Sequence, residues 1–594
     1  MSNKVNKEDI VSRECIFAFH IPQANTKYED VHIVKERLYL KDGTKVPNLR
    51  FIKNYERPFW ITKSNKQDHY EKKEYEDIEN LIELKSTESK LRDSVAYALG
   101  KRGTKEYLRQ LCNSPYVYGA DIPSESIIKY EYRKKYPNFD NVFEVAILDT
   151  ETDVLYGTND IILITVLYKK DVYTIVTQSF IKGIDDVKDK EKVLIDKYLS
   201  DKIDTKEYNF ELIVAESSME AIRLAFKKIH EWKPDFLTAW NSDFDIKKIV
   251  EVCQNNGVDP KDVFSDPEVP EELRYFKYKQ GSNYKITASG KRKSKTPAEM
   301  WNIVYCTSSF YIIDAMSAYK YIRLSKSEEP SYALDAILNK ELKIGKLKFD
   351  EAKVLEGSID WHKFMQKEYP LEYIVYNRFD CISMQLLDEK TSDLRAVVPT
   401  FSGLSSFANF NSQPKLIANA LFYFLKEQNK ILATVGAEEP KRDSKGNVIL
   451  DFGDYTGDND FGEEDEDEGG NDILGLRGWI VTLQNALIDE TTAADCIEEN
   501  VLTRSSVRTY VYDCDCISSY PSNLVGLNIS KGTTSKEIVT IVNKDGTKME
   551  ENIFKKQNIN LTSGHVNAIE YAVTMFNFPT PDEMLKYVVE HNGK

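Results

Sequence analysis

Two hydrophobic periods mark the middle of the chain. Val142–Leu148 (VFEVAIL) is an almost unbroken apolar run, and Ile161–Tyr168 (IILITVLY) and Val172–Thr177 (VYTIVT) follow it across short polar turns, which predicts an antiparallel meander. The period then changes. Met219, Ile222, Phe226 and Ile229 recur at helical spacing and predict an amphipathic helix over Ser218–Trp232. Phe236–Trp240 is a further apolar strand, after which Ile246, Ile249, Val250 and Cys253 form a second helical stripe that Gly257 can close. Pro370 opens a third helix with a buried face at Ile374, Val375, Ile382 and Leu386. The order strand, strand, strand, helix, strand, helix predicts an α/β domain over residues 141–385.

The flanks are less regular. Residues 1–140 combine the aromatic-rich segments FIKNYERPFWITK and SPYVYGADIPSESIIKYEYRKKYP with a stretch from Tyr75 to Leu111 that reads as mostly helical, and form a separate N-terminal domain. Residues 386–450 form a helical return segment, mostly helical between Phe401 and Lys426, leading back to that domain. Residues 451–472 have too little apolar content to fold and are expected to be a disordered acidic insertion. In residues 473–594, Leu476-Arg477-Gly478-Trp479 begins a strand, Asp545-Gly546 signals a hairpin, and Thr580, Pro581 and Glu583 stand in capping-box order before a last helix. The expected fold class is therefore α/β and α+β, in several domains.

Composition narrows the function classes. At 594 residues the chain exceeds one hydrophobic core, and no apolar run is long enough to span a bilayer. The N-terminus MSNKVNKEDIVSRE has no apolar signal region, and eight scattered cysteines without a CxxC pair point to free thiols in a reducing cytoplasm. Cys514 and Cys516 flank one aspartate and make a poor zinc site by themselves. A net charge of −16 disfavours a nucleic-acid partner at first sight, yet ten of the acids lie between Asp451 and Glu468, and without them the net is −6. Local stripes matter more than the total. Lys291, Arg292, Lys293 and Lys295 form the clearest basic cluster, in the Gly- and Ser-rich segment KQGSNYKITASGKRKSK, and a solvated loop and a DNA contact are equal readings of it.

The candidate chemistry is carboxylate chemistry. Asp149 and Glu151 are two residues apart at the end of an apolar strand, so both side chains point to one side and can hold a divalent metal between them. Alone, such a pair is usually a solvated strand end. Asp245 falls where a helix begins, and Tyr376 and Asp380 are one turn apart on the Pro370 helix, so an acid there can bind metal while the tyrosine orients a water. Four acids and a tyrosine in this order, on these elements, suggest an RNase H-like layout.

The same residues resemble the exonuclease motifs of family B DNA polymerases, the DEDDy proofreading type. Asp149-Thr150-Glu151 matches the first motif, Asn241 through Phe244-Asp245 the second and Tyr376-Asn377-Arg378-Phe379-Asp380 the third, with YNRFD and AWN close to the T-even-type bacteriophage versions. Two residues, where the family usually has three, separate Asn241 from Phe244-Asp245. Farther on, Asp515-x-x-Ser-x-Tyr-Pro-Ser resembles polymerase motif A, with Ser519 where leucine is usual, and Leu476-Arg477-Gly478-Trp479 is a loose match to an aromatic-x-Gly motif. The resemblance implies an RNase H-like (DnaQ-like) 3′→5′ exonuclease domain, an N-terminal domain and a partial polymerase palm. It implies that Asp149, Glu151, Asp245 and Asp380 hold two Mg²⁺ or Mn²⁺ ions, that Tyr376 orients the attacking water, and that Asp515 binds the metals of a polymerase site. Ser518, Ser519 and Tyr520 would hold the dNTP, Asn241 would touch DNA, and Lys291, Arg292 and Lys293 would belong to a hairpin that parts primer from template.

Motifs B and C of the family are absent from the sequence. The chain is thus expected to be the N-terminal portion of such a polymerase, working in the cytoplasm, a host's if the source is viral, and paired with a second polypeptide that supplies the missing motifs. Expected partners are primer-template DNA, single-stranded 3′ ends, dNTP, a sliding clamp and other replisome proteins, with no membrane. A self-sufficient exonuclease with a structural palm remnant and a non-catalytic DNA- or replisome-binding module remain alternatives.

Overall fold

The structure is a computed structural model that describes residues 6–21, 30–137, 139, 142–286, 292–324, 328–436 and three later strands. It divides into two units, Met1–Glu466 and Asp467–Lys594. The first unit begins with an antiparallel sheet of β1 (Ile10–Ile21), β2 (Val31–Leu40) and β3 (Lys45–Lys53). In a second sheet β4 (Arg57–Thr62) lies between β6 (Leu81–Ser86) and β7 (Val117–Tyr118), and β5 (Tyr75–Asp77) lies outside it. Helices α1 (Leu91–Ala98), α2 (Leu108–Leu111) and α3 (Ser124–Lys135) complete this region. The mostly helical expectation for Tyr75–Leu111 is therefore corrected: two strands and two short helices share that stretch. β4 is buried at every position, so its backbone needs partners on both edges, and Leu81–Ser86 supplies one of them.

The central sheet has six strands in the order β11-β10-β9-β8-β12-β17. These are β8 (Val145–Thr152), β9 (Ile161–Tyr168), β10 (Asp171–Thr177), β11 (Asn209–Ala215), β12 (Phe236–Ala239) and β17 (Tyr311–Asp314). The meander β8-β9-β10 is antiparallel, whereas β12 and β17 add parallel to one side and β11 parallel to the other. β9 is buried along its whole length because helices cover both faces of the sheet, and its one polar residue before Tyr168, Thr165, shares a hydrogen bond with Thr174. On one face Ala146, Leu148, Ile164 and Val166 pack against α5 (Ser218–Trp232) and α6 (Ser242–Asn255). On the other, Ile147, Leu163 and Leu167 pack against α4 (Val187–Leu199) and α11 (Pro370–Thr391). Each Val, Leu, Ile or Phe withdrawn from water contributes about 1.5–3 kcal/mol, so these two cores hold β8 in place more firmly than any single polar contact could.

Between β12 and β17 the chain forms α6, α7 (Pro260–Phe264) and two small antiparallel pairs: β13 (Phe276–Lys279) with β16 (Ile303–Cys306), and β14 (Tyr284–Ile286) with β15 (Arg292–Ser294). After β17 come α8 (Ala315–Ile322), α9 (Leu334–Leu342), α10 (Ile359–Glu368), α11, α12 (Val398–Ser402) and α13 (Gln413–Glu427). The sequence predicts one buried face for α11, but most of its circumference is buried because α4, α9, α10, β8 and β9 all pack against it. Its Arg378 is fully enclosed, 2.9 Å from the Glu191 carboxylate of α4 and donating from Nε to Thr174 of β10 at 2.9 Å. Phe401–Lys426 is mostly helical, as expected: the end of α12, the short helix Phe407–Asn409 and α13 cover most of it. β18 (Lys430–Leu432) then pairs with β5, and Phe422 of α13 packs on Trp60 of β4.

In the second unit β19 (Thr534–Val542) pairs antiparallel with β20 (Lys548–Asn560), which pairs with β21 (His565–Asn567). The Asp545-Gly546 turn between the first two, the acidic stretch 451–472, the strand start at Leu476 and the last helix lie outside the described residues. Among the described residues no helix is long and apolar enough to cross a membrane.

Candidate active site

β8 carries the first two carboxylates in its C-terminal half, with Glu151 next to its last residue, as the spacing predicts. Asp149 and Glu151 share the parity of Ile147, so they face α11, while Thr150 shares that of Leu148 and faces α6. The hydrogen bonds follow this alternation. Asn377 of α11 donates from Nδ2 to Asp149 Oδ2 at 2.6 Å, and the Tyr373 hydroxyl donates to Glu151 Oε2 at 2.5 Å. On the other side Thr150 donates to Asp245 Oδ1 from its backbone N at 3.0 Å and from Oγ1 at 2.7 Å.

Asp245 lies in the first turn of α6, where the positive end of the helix dipole favours a carboxylate. That turn is fixed from outside: Asp314 at the end of β17 accepts from Ser242 N at 2.8 Å and from Ser242 Oγ at 2.9 Å. Asn241, the residue before the helix, is half-buried and makes no side-chain capping bond. Tyr376 and Asp380 are one turn apart on α11, and one cation binds both: Lys346 Nζ donates to Asp380 Oδ2 at 2.6 Å and to the Tyr376 hydroxyl at 2.9 Å.

The acids raise one another's proton affinity. Burial, then repulsion from Asp245, Asp380 and Glu151, pushes Asp149 well above the usual carboxylate range. Burial pushes Glu151 up to about 7 against the Tyr373 hydrogen bond, and Asp245 up to about 7 against its two bonds from Thr150. Asp380 is raised too, by burial that the Lys346 ammonium only partly offsets. Burial disfavours the charge on Lys346, but Asp380 and Tyr376 outweigh it and hold the ammonium well above its ordinary range. Asp245 and Asp380 are buried, while Asp149 and Glu151 keep an exposed edge, so the cluster opens toward solvent on the β8 side.

Among the described residues the donor set that a hard divalent cation would meet is four carboxylates, the Lys346 ammonium on Asp380, and a buried Asp380 Oδ1 with no hydrogen-bond partner. Among the described residues, however, no group of three or more carboxylate, imidazole or thiol side chains is placed so that it could hold a metal ion. Lys346 is bound to Asp380 Oδ2, one of the oxygens such an ion would use.

No protein-family model matches the chain. No curated protein is significantly similar to it either.

The remaining candidates fall in three places. Arg292 and Lys293 are exposed on β15, with the Arg292 guanidinium 4.6 Å from the centre of the Tyr284 ring across the hairpin. Lys291 lies outside the described residues, as do Asp515, Ser518, Ser519 and Tyr520. Two exposed aromatics lie close to the acids in sequence: Phe244, next to Asp245, and Tyr156, five residues after Glu151 and 83% exposed on the loop that leaves β8. Sequence reasoning missed Lys346, Thr150, Tyr373, Asn377 and His362. Tyr373 and Asn377 had a signal, since with Tyr376 and Asp380 they share one face of α11. Lys346 precedes the 3-10 helix Asp350–Leu355, in a segment without periodicity, and nothing in its neighbourhood marks it.

Proposed function

We propose that residues 145–391 are a metal-dependent 3′→5′ exonuclease of the DEDDy type, acting on DNA 3′ ends within a family B polymerase framework. The observation that carries this reading is the convergence of Asp149, Glu151, Asp245 and Asp380, from one strand and two helices, into a cluster in which Asp245 and Asp380 raise the proton affinity of Asp149 and Glu151. Structural ion pairs seldom gather four acids near one cation, whereas a site for two divalent metals, each held through one or two carboxylates, does. The strand order, with β8 central, β9 and β10 as the meander and β12 and β17 parallel, supports an RNase H-like layout.

Asp149, Glu151, Asp245 and Asp380 would hold Mg²⁺ or Mn²⁺, with Lys346 withdrawing. Bound there, the ions would supply a hydroxide at neutral pH and stabilise charge on the departing 3′ oxygen. The protein's own groups do the rest. The Tyr376 hydroxyl, held over Asp380 by α11, orients a water for attack on the terminal phosphorus. Thr150 fixes Asp245 by two hydrogen bonds and Asn377 fixes Asp149, so both keep their orientation when charge changes. Tyr156 and Phe244 offer aromatic faces on which unpaired bases can stack, each worth about 1–3 kcal/mol. The wider polymerase reading rests on the likeness around Asp515 and Tyr520. Primer extension with Mg²⁺ and dNTPs, with and without a candidate second polypeptide and with Asp515→Ala as control, tests it.

The Lys346 ammonium among the acids favours a second reading, an inert DNA-binding module. One experiment separates the two. The full chain is incubated with a 5′-labelled single-stranded oligonucleotide and Mg²⁺, beside the Asp149→Ala/Glu151→Ala variant. Removing two metal ligands forfeits several kcal/mol of transition-state stabilisation, so degradation should fall by at least about 1,000-fold. Equal rates for wild type and variant refute the exonuclease reading.

A further inference from the structure

α10 stands beside the acid cluster and touches it through side chains that the exonuclease motifs do not include. His362 and Gln366 are one turn apart on α10 and so share a face. Gln366 fastens the exit of β8: its Nε2 donates to the Thr152 carbonyl at 2.8 Å, and its Oε1 accepts from Val154 N at 3.1 Å and Leu155 N at 3.2 Å. The buried Tyr373 at the start of α11 links this face to Glu151. Its hydroxyl donates to Glu151 Oε2 at 2.5 Å, meets His362 Nδ1 at 2.8 Å and lies 3.4 Å from Gln366 Nε2.

The directions of these bonds are set by chemistry. An ionised carboxylate only accepts, so the hydroxyl proton of Tyr373 is committed to Glu151. The His362 contact must then be a donation from Nδ1–H to the hydroxyl oxygen, which selects one tautomer of the imidazole. A donation that loads the oxygen strengthens the bond the hydroxyl makes onward. Among the described residues no protein donor reaches Glu151 Oε1, so the relay occupies one carboxylate oxygen and leaves the other for a ligand.

We propose that His362 and Tyr373 are positioning residues, forming a hydrogen-bond relay that orients the Glu151 carboxylate toward its divalent metal, with Gln366 holding the strand exit beneath it. The inference rests on the exonuclease reading of the cluster and adds to it a shell of residues that never touch the substrate. Tyr373 also stacks on Tyr376 at 5.9 Å between ring centres with an interplanar angle of 11°, so the relay and the water-orienting tyrosine share one support.

The test uses the full chain and four variants: Tyr373→Phe, His362→Ala, His362→Asn and Asp149→Ala. Tyr373→Phe keeps the ring and its packing and removes only the hydroxyl. Loss of a partner that orients a metal ligand costs about 10–100-fold in metal affinity or activity, so the rate on a labelled oligonucleotide should drop by that factor, or the Mg²⁺ concentration for half-maximal rate should rise by it, with melting unchanged. His362→Ala should lose activity in the same direction, and His362→Asn, which keeps a donor N–H near the Nδ1 position, should recover most of the loss. A Tyr373→Phe protein with wild-type rate and wild-type Mg²⁺ dependence overturns the relay, as does an Asn variant no better than Ala. Should wild type degrade no more than Asp149→Ala, the exonuclease reading fails separately. The relay is then judged by Mn²⁺ binding in a calorimeter, where equal affinity in wild type and Tyr373→Phe overturns it.

Discussion

Lys346→Met tests the electrostatic account of the cluster most directly. The variant keeps the length of the side chain and removes the one ammonium that, among the described residues, is bound to the acid cluster. Breaking a buried ion pair by deleting one partner costs about 3–5 kcal/mol. Here the lower end applies, because the Lys346 side chain is 28% exposed and because acids with pKa near 7 can each take up a proton instead of standing uncompensated. A loss of about 3 kcal/mol in EDTA follows. In domains of 150–250 residues 1 kcal/mol moves the melting temperature by about 2–4 °C, and less in a larger unit, so the variant should melt about 5 °C below wild type. Mg²⁺ should then reverse the order of gains. In wild type the ion must displace the ammonium from Asp380, whereas in the variant it meets free carboxylates. At 100 times its dissociation constant a ligand adds about 2.7 kcal/mol, and the tighter-binding variant should gain more at a given Mg²⁺ concentration. Differential scanning fluorimetry in EDTA and in graded Mg²⁺ measures both. Equal melting in EDTA, or equal Mg²⁺-induced gains, would refute the claim that Lys346 stands in for a metal.

Two further expectations concern pH and DNA. Glu151 and Asp245 have folded-state pKa values raised to about 7 above ordinary values near 4, so the metal-free fold binds protons that the unfolded chain releases, and its stability should fall as pH rises from about 4 through 7. Melting in EDTA at pH 5, 6, 7 and 8 checks the sign, and a rise over that range contradicts it; exonuclease rate should run the opposite way, with an acid limb that moves to lower pH as Mg²⁺ increases. For the β14–β15 hairpin, replacing Lys291, Arg292 and Lys293 with alanine should slow digestion of duplex primer ends more than of single strands and flatten the salt dependence. An equal effect on both substrates would return the cluster to a solvated loop.

How much of this was legible beforehand differs from element to element. Local pattern sufficed where each face of an element has one environment. The apolar runs of β9 and β10 and the stripe of Ser218–Trp232 appear in the fold at nearly the positions their periodicity predicts. The parity of Asp149 and Glu151 also needed only the strand period, since two residues two apart must share a face. Pattern failed where pairing decided: Leu81–Ser86 becomes a strand because β4 needs a partner, and Tyr311–Asp314 becomes β17 by pairing with β12.

What the sequence determined by itself is the inventory, namely which acids sit at strand ends and helix starts, and which tyrosine lies a turn from which aspartate. Those are consequences of spacing along one element. What only the tertiary structure decided is who balances whom. Lys346 reaches Asp380 across 34 residues, Tyr373 reaches Glu151 across 222 and Thr150 reaches Asp245 across 95. No period in a chain encodes such partners. They follow from the packing of α6, α10 and α11 around β8, where burial leaves each carboxylate to find a donor or take up a proton.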